Sequence, residues 1–222
     1  VAWLWPLRET EAKCARTFST QLALMEQYPE FKFLQSQAHL YWMTKRRYPA
    51  LYERIRQAVQ RGQWLVEGGM WVEADTNITG GESLIRQFIH GKRFFHEEFG
   101  VTSELMWLPD VFGYSGAIPQ LMAGCGLKYF STQKIFWNYH GGDPFPYHTF
   151  WWEGIDGTRV LAHIHVDYNS QTNPATLIER WRGRVQKDGL DARMQPFGHG
   201  DGGGGVTRDH LEFLRRQRNL EG

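Results

Sequence analysis

The chain has 222 residues, of which 41% are hydrophobic and 22% charged, a composition typical of a soluble globular protein. Its 25 basic and 24 acidic residues are spread along the sequence and give a net charge of +1, which excludes a basic stripe for nucleic acid. No apolar run approaches the roughly 20 residues of a membrane-spanning helix. Cys14 and Cys125 are too few and too far apart for a disulfide framework, which favours a reducing compartment.

Helix-forming and strand-forming segments alternate along the chain. Predicted helices run from Thr10 to Pro29, from Pro49 to Gly62 and from Glu82 to Phe99, and also cover AIPQLMAGCG, PATLIERWRGRVQK and TRDHLEFLRRQ, the last capped by Thr207. Predicted strands lie in FKFLQSQ, WLVEGG, ELMWL, LKYFSTQ and MQPFG, with two more around the turn of FWWEGIDGTRVLAHIH. The alternation predicts parallel βαβ units, as a barrel or an open sheet, in one domain over residues 1–222.

Polar residues follow several of the predicted strands, where parallel α/β folds bind their ligands. They are Glu73 and Asp75 in MWVEADTN, Asp110 in WLPDVFGYSG, Asp167 in HIHVDYNSQ, and His199 and Asp201 in GHGDGGGG. Asp110 has two interpretations. An aspartate often completes a turn, but the neighbouring Trp107 and Phe112 would partly desolvate this one, which favours a partner such as a metal ion.

The segments around Asp167 and the glycine run are less specific. His163 and His165 share one face of a strand and could bind a metal, although hydrogen-bonding core histidines are commoner. GHGDGGGG lacks the lysine and the Ser/Thr of a phosphate loop and the spacing of GxGxxG, so nucleotide binding is a weak inference. We expect its glycines to let the backbone pass close to a ligand or a ring, with His199 and Asp201 either supporting the site residues or purely structural.

Asp110 and Asp167 together indicate a reaction type. Two carboxylates at one aromatic-lined site are what the cleavage of a glycosidic bond requires. One attacks or stabilises the anomeric centre, and the other moves the proton of the leaving oxygen. The 10 Trp, 14 Phe and 9 Tyr residues provide rings for such a site. The fold must bring both carboxylates to one rim, which their separation in sequence does not establish.

The sequence resembles glycoside hydrolase family 38, the retaining, metal-dependent α-mannosidases, in the branch that includes the cytosolic enzymes. The matching stretches cover nearly the whole chain in the family's order: AWLWPLRETEAKCARTFS, FLQSQAHLYWMTK, EGGMWVEADTN, GESLIRQFIHGKRFF, WLPDVFGYSGAIPQ, FWWEGIDGTRVL and GDGGGG. The resemblance implies an α/β fold of the parallel (β/α) barrel type, present as an incomplete fragment of the catalytic domain. It also implies a cytoplasmic hydrolase of mannose-containing oligosaccharides that uses Zn²⁺ or another divalent cation such as Co²⁺, and it allows a homo-oligomer.

The resemblance also assigns roles to individual residues. Asp110 matches the catalytic nucleophile, which also binds the metal ion. Asp167 is the best match to the acid/base carboxylate, although HVDYN is about one residue shorter than the family pattern. The expected substrate-binding residues are Trp3, which matches a ring that packs against the sugar, Lys134 in QKIFWN, Glu73, Asp75 and Tyr168.

The sequence also departs from the family pattern. The remaining metal ligands are expected outside the chain, as a His-x-Asp pair just before Val1 and a histidine beyond Gly222. His199 and Val206 stand where the family has tyrosine and proline, and His199 is not assigned as a ligand. Because a catalytic ion takes about three protein ligands, we expect the isolated chain to be inactive.

Two other functions compete with the mannosidase. A metal-dependent polysaccharide deacetylase would use a similar barrel, and a non-catalytic carbohydrate-binding module would account for the many tryptophans. GGMWVE and FWWEGIDG favour the mannosidase over the deacetylase.

Overall fold

The computed structural model describes residues 5–137, 145–189 and 191–218, and these contain both helices and parallel strands. The described helices are α1 (Leu7–Gln27), α2 (Ala38–Arg47), α3 (Pro49–Gln60), α4 (Gly81–Phe99), α5 (Ile118–Gly124), α6 (Pro174–Arg182) and α7 (Arg208–Gln217). The described strands are β1 (Phe33–Gln35), β2 (Trp64–Val66), β3 (Leu105–Leu108), β4 (Tyr129–Thr132), β5 (Thr149–Glu153) and β6 (Arg159–Ile164). The α/β prediction is therefore confirmed. None of the described helices combines the length and the apolar character that a bilayer span requires.

The main sheet has the strand order β3-β4-β6-β5, and β1 pairs with β2 in a second sheet. β3, β4 and β6 are parallel, and their register aligns Leu108 with Thr132 and Thr132 with Ile164. Residues that directly follow these three positions therefore lie at one edge of the sheet. β5 runs antiparallel to β6, as predicted for the two strands around the Gly-Ile-Asp-Gly turn. The described strands form no closed barrel, so the parallel barrel stays a prediction.

The chain divides into two compact units. The first, which we call the helical unit, comprises Val1–Phe33, Thr44–Trp64 and Asp167–Gly222. The second, which we call the sheet unit, comprises Leu34–Met43 and Leu65–Val166 and contains the main sheet. A single domain over residues 1–222 stays a prediction.

The core of the sheet unit lies between the main sheet and the helices α4 and α5. Helix α4 buries Leu84, Phe88 and Phe95 at helical spacing and ends at Gly100, which adopts the left-handed conformation expected after a helix. Ile89 belongs to the same helix but is 46% exposed, because it lies beyond the buried face. The buried cluster of this core is Met70, Leu84, Phe88, Met106, Leu108, Val111, Ile118, Met122, Leu127, Phe130, Val160, Ala162 and Ile164.

The core of the helical unit includes one face of α1, where Phe18, Leu22 and Met25 are buried. The helix begins at Leu7 rather than near Thr10, because Pro6 starts it and its carbonyl accepts the N–H groups of the first turn. At the other end of the chain, α7 begins after Thr207 as predicted, and the backbone N–H of Thr207 donates to Nδ1 of His210 at 3.2 Å.

Three sequence predictions of secondary structure are wrong. MQPFG does not form a strand: Phe197 makes only an isolated bridge with Ser170, and Pro196 has no N–H to give to a ladder. Helix α6 ends at Arg182, before the predicted end of its segment, and buries none of its residues completely. No helix was predicted where α2 lies, which is only two residues after the end of β1.

Candidate active site

Asp110 and Lys134 meet at the edge of the main sheet where the parallel strands end. Asp110 lies two residues beyond β3 and Lys134 two residues beyond β4, and the register of the strands aligns these ends. Lys134 Nζ lies 2.7 Å from Asp110 Oδ1, with the lysine side chain 4% exposed and the aspartate side chain 26% exposed. The structure thus joins two residues that the sequence had assigned to the site separately.

The turn that carries Asp110 is held by hydrogen bonds to the end of β3. The hydroxyl of Tyr114 lies 2.8 Å from the carbonyl oxygen of Val111 and 3.1 Å from that of Leu108. Thr132 Oγ1 donates to the same Leu108 carbonyl at 2.7 Å. Burial raises the pKa of Tyr114, so its hydroxyl keeps its proton at neutral pH. Asp110 is therefore fixed from the backbone side as well as by Lys134.

The glycine of the Asp-Val-Phe-Gly turn is favoured by its backbone conformation. Gly113 has φ of +145°, which L side chains rarely adopt, and a Cβ atom there would also overlap the side-chain amide of Asn77. The Gly113 carbonyl accepts a hydrogen bond of 2.6 Å from Thr76 Oγ1. A larger residue at this position would strain the turn.

Two aromatic rings contact the ammonium group of Lys134. Its Nζ lies 3.1 Å from the ring centroid of Trp137 and 4.7 Å from that of Phe112, a cation–π arrangement. Trp137 is 42% exposed and Phe112 is 53% exposed, so both rings also face solvent. Sequence reasoning missed Trp137. The spacing of the two residues could have indicated it. Lys134 begins a 3₁₀ turn, in which residues three apart, such as Lys134 and Trp137, lie on one side.

Glu73 is a half-buried carboxyl group with an unusual proton affinity. Ser36 Oγ donates a hydrogen bond of 2.9 Å to its Oε1. Burial raises the pKa of Glu73 to about 7, while hydrogen bonds from Ser36 and Gln37 partly oppose this and the charge of Asp110 adds to it. Neither Ser36 nor Gln37 was predicted as a site residue. Gln37 has φ of +64°, a costly conformation for a non-glycine residue that recurs at functional sites.

Asp75 lies in the same unit as Glu73 but serves a turn. Its Oδ1 accepts the backbone N–H groups of Asn77 at 2.8 Å and Ile78 at 2.9 Å, and the residue is exposed. This is the local aspartate turn that its residue type favours.

The two histidines of β6 and its end make hydrogen bonds within the sheet unit. His163 Nδ1 lies 2.8 Å from Thr149 Oγ1, and His165 Nδ1 lies 3.3 Å from Ser131 Oγ. The His165 ring stacks on Trp107, with centroids 5.0 Å apart and an interplanar angle of 9°. These contacts match the core role that the sequence left open beside metal binding.

Asp167 lies in the helical unit. Its Oδ2 is 2.9 Å from Arg180 Nη2, and its Oδ1 accepts a hydrogen bond of 3.2 Å from Gln195 Nε2. Its side chain is 16% exposed. Because Asp110 belongs to the sheet unit, the meeting of the two carboxylates at one site stays a prediction. Trp3 lies outside the described residues.

The glycine run is anchored to α1. The amide of Gln21 donates to the carbonyls of Gly204 at 2.9 Å and Val206 at 3.1 Å, and its oxygen accepts from the Val206 N–H at 3.2 Å. His199 pairs through its backbone with Gly205. His199 and Asp201 have exposed side chains.

Near the start of this run, the ring of Tyr168 lies close to Gly200. A Cβ atom at Gly200 would lie 3.0 Å from Cε2 of the ring. These glycines thus allow close backbone approach, as expected, to a packed ring and to a helix.

The family model for the glycosyl hydrolases family 38 N-terminal domain matches residues 1–222. The chain belongs to glycosyl hydrolase family 38. The family 38 assignment agrees with the resemblance read from the sequence motifs.

Relatives within the family are longer proteins. Alpha-mannosidase 2C1 of Homo sapiens is 46% identical over 223 residues, which cover 100% of this chain and 21% of that protein. Alpha-mannosidase G of Dictyostelium discoideum is 46% identical over 224 residues, which cover 100% of this chain and 20% of that protein. The chain therefore spans about a fifth of the length of these curated relatives.

A solved alpha-mannosidase structure supports the fold. The crystal structure of an alpha-mannosidase from Enterococcus faecalis aligns with a TM-score of 0.66 and 24% sequence identity, covering 81% of this chain and 21% of that one. At this identity the likeness establishes the fold alone.

The family 38 motifs imply a divalent metal ion, and the described residues do not form a site for one by themselves. Within residues 5–137, 145–189 and 191–218, no three His, Cys, Asp or Glu side chains come together in a group that could hold an ion. The family resemblance assigns Asp110 as one ligand, and its Oδ1 contacts Lys134. One carboxylate falls short of the roughly three ligands of a catalytic ion.

Proposed function

We propose that the protein containing this chain is a retaining α-mannosidase that removes terminal α-mannosyl residues from oligosaccharides or glycans. One observation carries the proposal. In a family 38 chain, the carboxylate that matches the nucleophile lies at the carboxyl ends of parallel strands, bound to a buried lysine and bordered by two exposed rings. The relatives named as alpha-mannosidases support the substrate class.

In this proposal Asp110 is the nucleophile. Lys134 fixes the orientation of the Asp110 carboxylate by holding one of its oxygens. A carboxylate oxygen attacks the anomeric carbon, the bond to the leaving oxygen breaks, and a covalent glycosyl ester forms. Water then attacks the anomeric carbon from the face opposite the ester, and the ester bond breaks. The two inversions at this carbon give net retention of its configuration.

Proton transfer to the leaving oxygen has two candidates. Asp167 is the match from the family resemblance, and its Oδ2 lies 2.9 Å from Arg180 Nη2. Glu73 is favoured by its electrostatics, because a carboxyl group with a pKa of about 7 is suited to general acid–base catalysis near neutral pH.

A leaving-group comparison distinguishes the two candidates. Dinitrophenolate leaves a dinitrophenyl mannoside without being protonated, whereas the methoxy group of a methyl mannoside needs a proton from an acid in order to leave. The true acid is the residue whose amide variant, Asp167→Asn or Glu73→Gln, loses activity mainly on the methyl mannoside.

We also propose Zn²⁺, or another divalent cation such as Co²⁺, as the cofactor. Asp110 would be one ligand, and the others would come from residues that the chain does not contain. When bound, the ion would polarise sugar hydroxyls at the site. We further propose that the main sheet is part of a parallel (β/α) barrel. We also propose that the protein is cytosolic, which is supported by the family branch that the sequence resembles and by the free Cys14 and Cys125.

Four residues remain proposed contacts to the sugar besides Lys134. They are Trp3, Glu73, Asp75 and Tyr168. Asp75 is engaged in its turn, so its replacement by alanine should loosen that turn as well as any contact to substrate.

The reaction is tested with the purified full-length protein and an aryl α-mannoside. Proton NMR of the first product should show α-mannose, and a chelator should abolish the release until Zn²⁺ or Co²⁺ is restored. Release of β-mannose would overturn the retaining mechanism. Release of acetate from an acetylated polysaccharide, without mannoside cleavage, would favour the deacetylase. Metal-independent sugar binding without turnover would favour the carbohydrate-binding module.

A further inference from the structure

Three arginines of the helical unit lie close to one another, and one of them pairs with Asp167. Arg180 Nη2 forms the 2.9 Å ion pair with Asp167. Arg193 donates from Nη1 to the backbone carbonyl of Arg180. Arg184 lies with its guanidinium carbon 3.7 Å from the ring centroid of Trp181 and donates to the Trp181 carbonyl at 2.7 Å. We call Arg180, Arg184 and Arg193 the arginine cluster.

The members of the arginine cluster repel one another. Burial lowers the pKa of Arg193, and the charges of Arg180 and Arg184 lower it further, while Asp167 acts in the opposite direction. Among the charges that act on Arg193, the two guanidinium groups of Arg180 and Arg184 outnumber the one carboxylate, that of Asp167. A bound anion would offset this excess of positive charge.

The cluster also contains buried donors without acceptors. Among the described residues, no hydrogen-bond partner is found for Nε of Arg180, Nε of Arg184, or Nε and Nη2 of Arg193, and each of these atoms is inaccessible to solvent. Buried N–H groups of this kind are normally satisfied, because each one left unpaired costs about 1–3 kcal/mol. Their concentration in one cluster indicates a bound group rather than a random defect.

We propose that the arginine cluster binds a phosphate group, either as inorganic phosphate or as a phosphate monoester on a sugar. A phosphate monoester carries about 1.5 to 2 negative charges and three strong acceptor oxygens at neutral pH, which matches the excess charge and the set of unpaired donors. The guanidinium fork is also suited to bidentate contact with phosphate oxygens. The inference concerns binding and does not depend on the proposed hydrolysis.

Isothermal titration of the full-length protein at low salt tests the proposal, with inorganic phosphate, mannose 6-phosphate, mannose and acetate as separate ligands. We expect inorganic phosphate to bind and mannose and acetate not to bind. Binding of mannose 6-phosphate as tight as that of inorganic phosphate would identify the phosphate group alone as the ligand. At least tenfold tighter binding of mannose 6-phosphate would identify a sugar phosphate.

Arginine variants show whether the cluster is the site. Arg193→Gln and Arg184→Gln should each weaken phosphate binding at least tenfold. Arg193→Lys should bind with intermediate affinity, because it keeps the charge but loses the fork. Arg182→Gln is the matched control, since Arg182 is exposed on the same segment, and it should bind phosphate like the unmodified protein.

Three results would overturn the proposal. The first is the absence of phosphate binding to the full-length protein, as expected if a carboxylate from elsewhere in that protein fills the cluster. The second is acetate binding as tightly as phosphate. The third is unchanged phosphate affinity in Arg193→Gln and Arg184→Gln, with circular dichroism showing that both variants are folded.

Discussion

Replacement of Lys134 by methionine should destabilise the end of β4 and the Asp110 turn more than any comparable surface change. Methionine keeps the length and much of the apolar packing of lysine but removes the charge. Asp110 would then lose the cation 2.7 Å from its Oδ1, and the rings of Trp137 and Phe112 would lose theirs. The perturbation thus isolates the electrostatic part of the site.

The size of this effect follows from burial. Removing one member of a buried ion pair costs about 3–5 kcal/mol. The Asp110 side chain is 26% exposed, so water solvates part of the unpaired carboxylate. This solvation lowers the expected cost of losing the ion pair to about 2 kcal/mol. Loss of the cation–π contacts adds about 1 kcal/mol. The local free energy of unfolding should therefore fall by about 3 kcal/mol.

Hydrogen–deuterium exchange of the full-length protein measures this local free energy in peptides that cover β3 and β4. A loss of about 3 kcal/mol corresponds to exchange faster by roughly a hundredfold. Lys128→Met is the matched control, because Lys128 pairs with Glu104 at 2.6 Å while its side chain is 62% exposed, and it should cause no measurable change. Equal exchange in Lys134→Met and Lys128→Met would show that the buried Lys134–Asp110 ion pair does not stabilise the ends of these strands.

Three further predictions concern urea unfolding of the full-length protein. Glu73→Gln should flatten the pH dependence of the free energy of unfolding between pH 4.5 and about 7. The folded state of the unmodified protein holds the Glu73 proton more tightly than the unfolded chain does, so it loses stability, on the order of 3 kcal/mol, as pH rises through that window. An unchanged pH dependence would contradict the burial of Glu73. Gly91→Ala should cost about 2–3 kcal/mol, since its Cβ would lie 2.4 Å from the backbone of Met70, whereas Gly124→Ala, with open space around it, should gain up to about 1 kcal/mol. Gln21→Ala should cost about 2 kcal/mol by leaving buried backbone groups of the glycine run unpaired, and a neutral result would show that water replaces the amide.

The elements that the sequence predicted well carry strong local signals. Helix α4 combines buried residues at helical spacing with a left-handed Gly100 at its end, and the β5–β6 hairpin turns at Gly157, which has φ of +83°. Helix α2 was missed because it follows Gln37, whose left-handed backbone is not a conformation that glutamine favours. No local sequence pattern predicts a helix that begins after a residue in this conformation.

The site was predictable as a set of residues but not as a set of contacts. Asp110 and Lys134 each follow a strand, so their position at one sheet edge could be expected. Their ion pair depends on the register of β3 against β4, which the sequence does not specify. The hydrogen bond from Ser36 to Glu73 joins residues that are distant in sequence, and it arises only from tertiary packing.

The turnover of Asp110→Asn in the full-length protein tests whether Asp110 is the nucleophile. Asparagine has nearly the same shape but is a far weaker nucleophile. We expect the variant to remain folded and its kcat on an aryl α-mannoside to fall by at least about a thousandfold. Turnover within a few fold of the unmodified protein would contradict the assignment of Asp110 as the nucleophile.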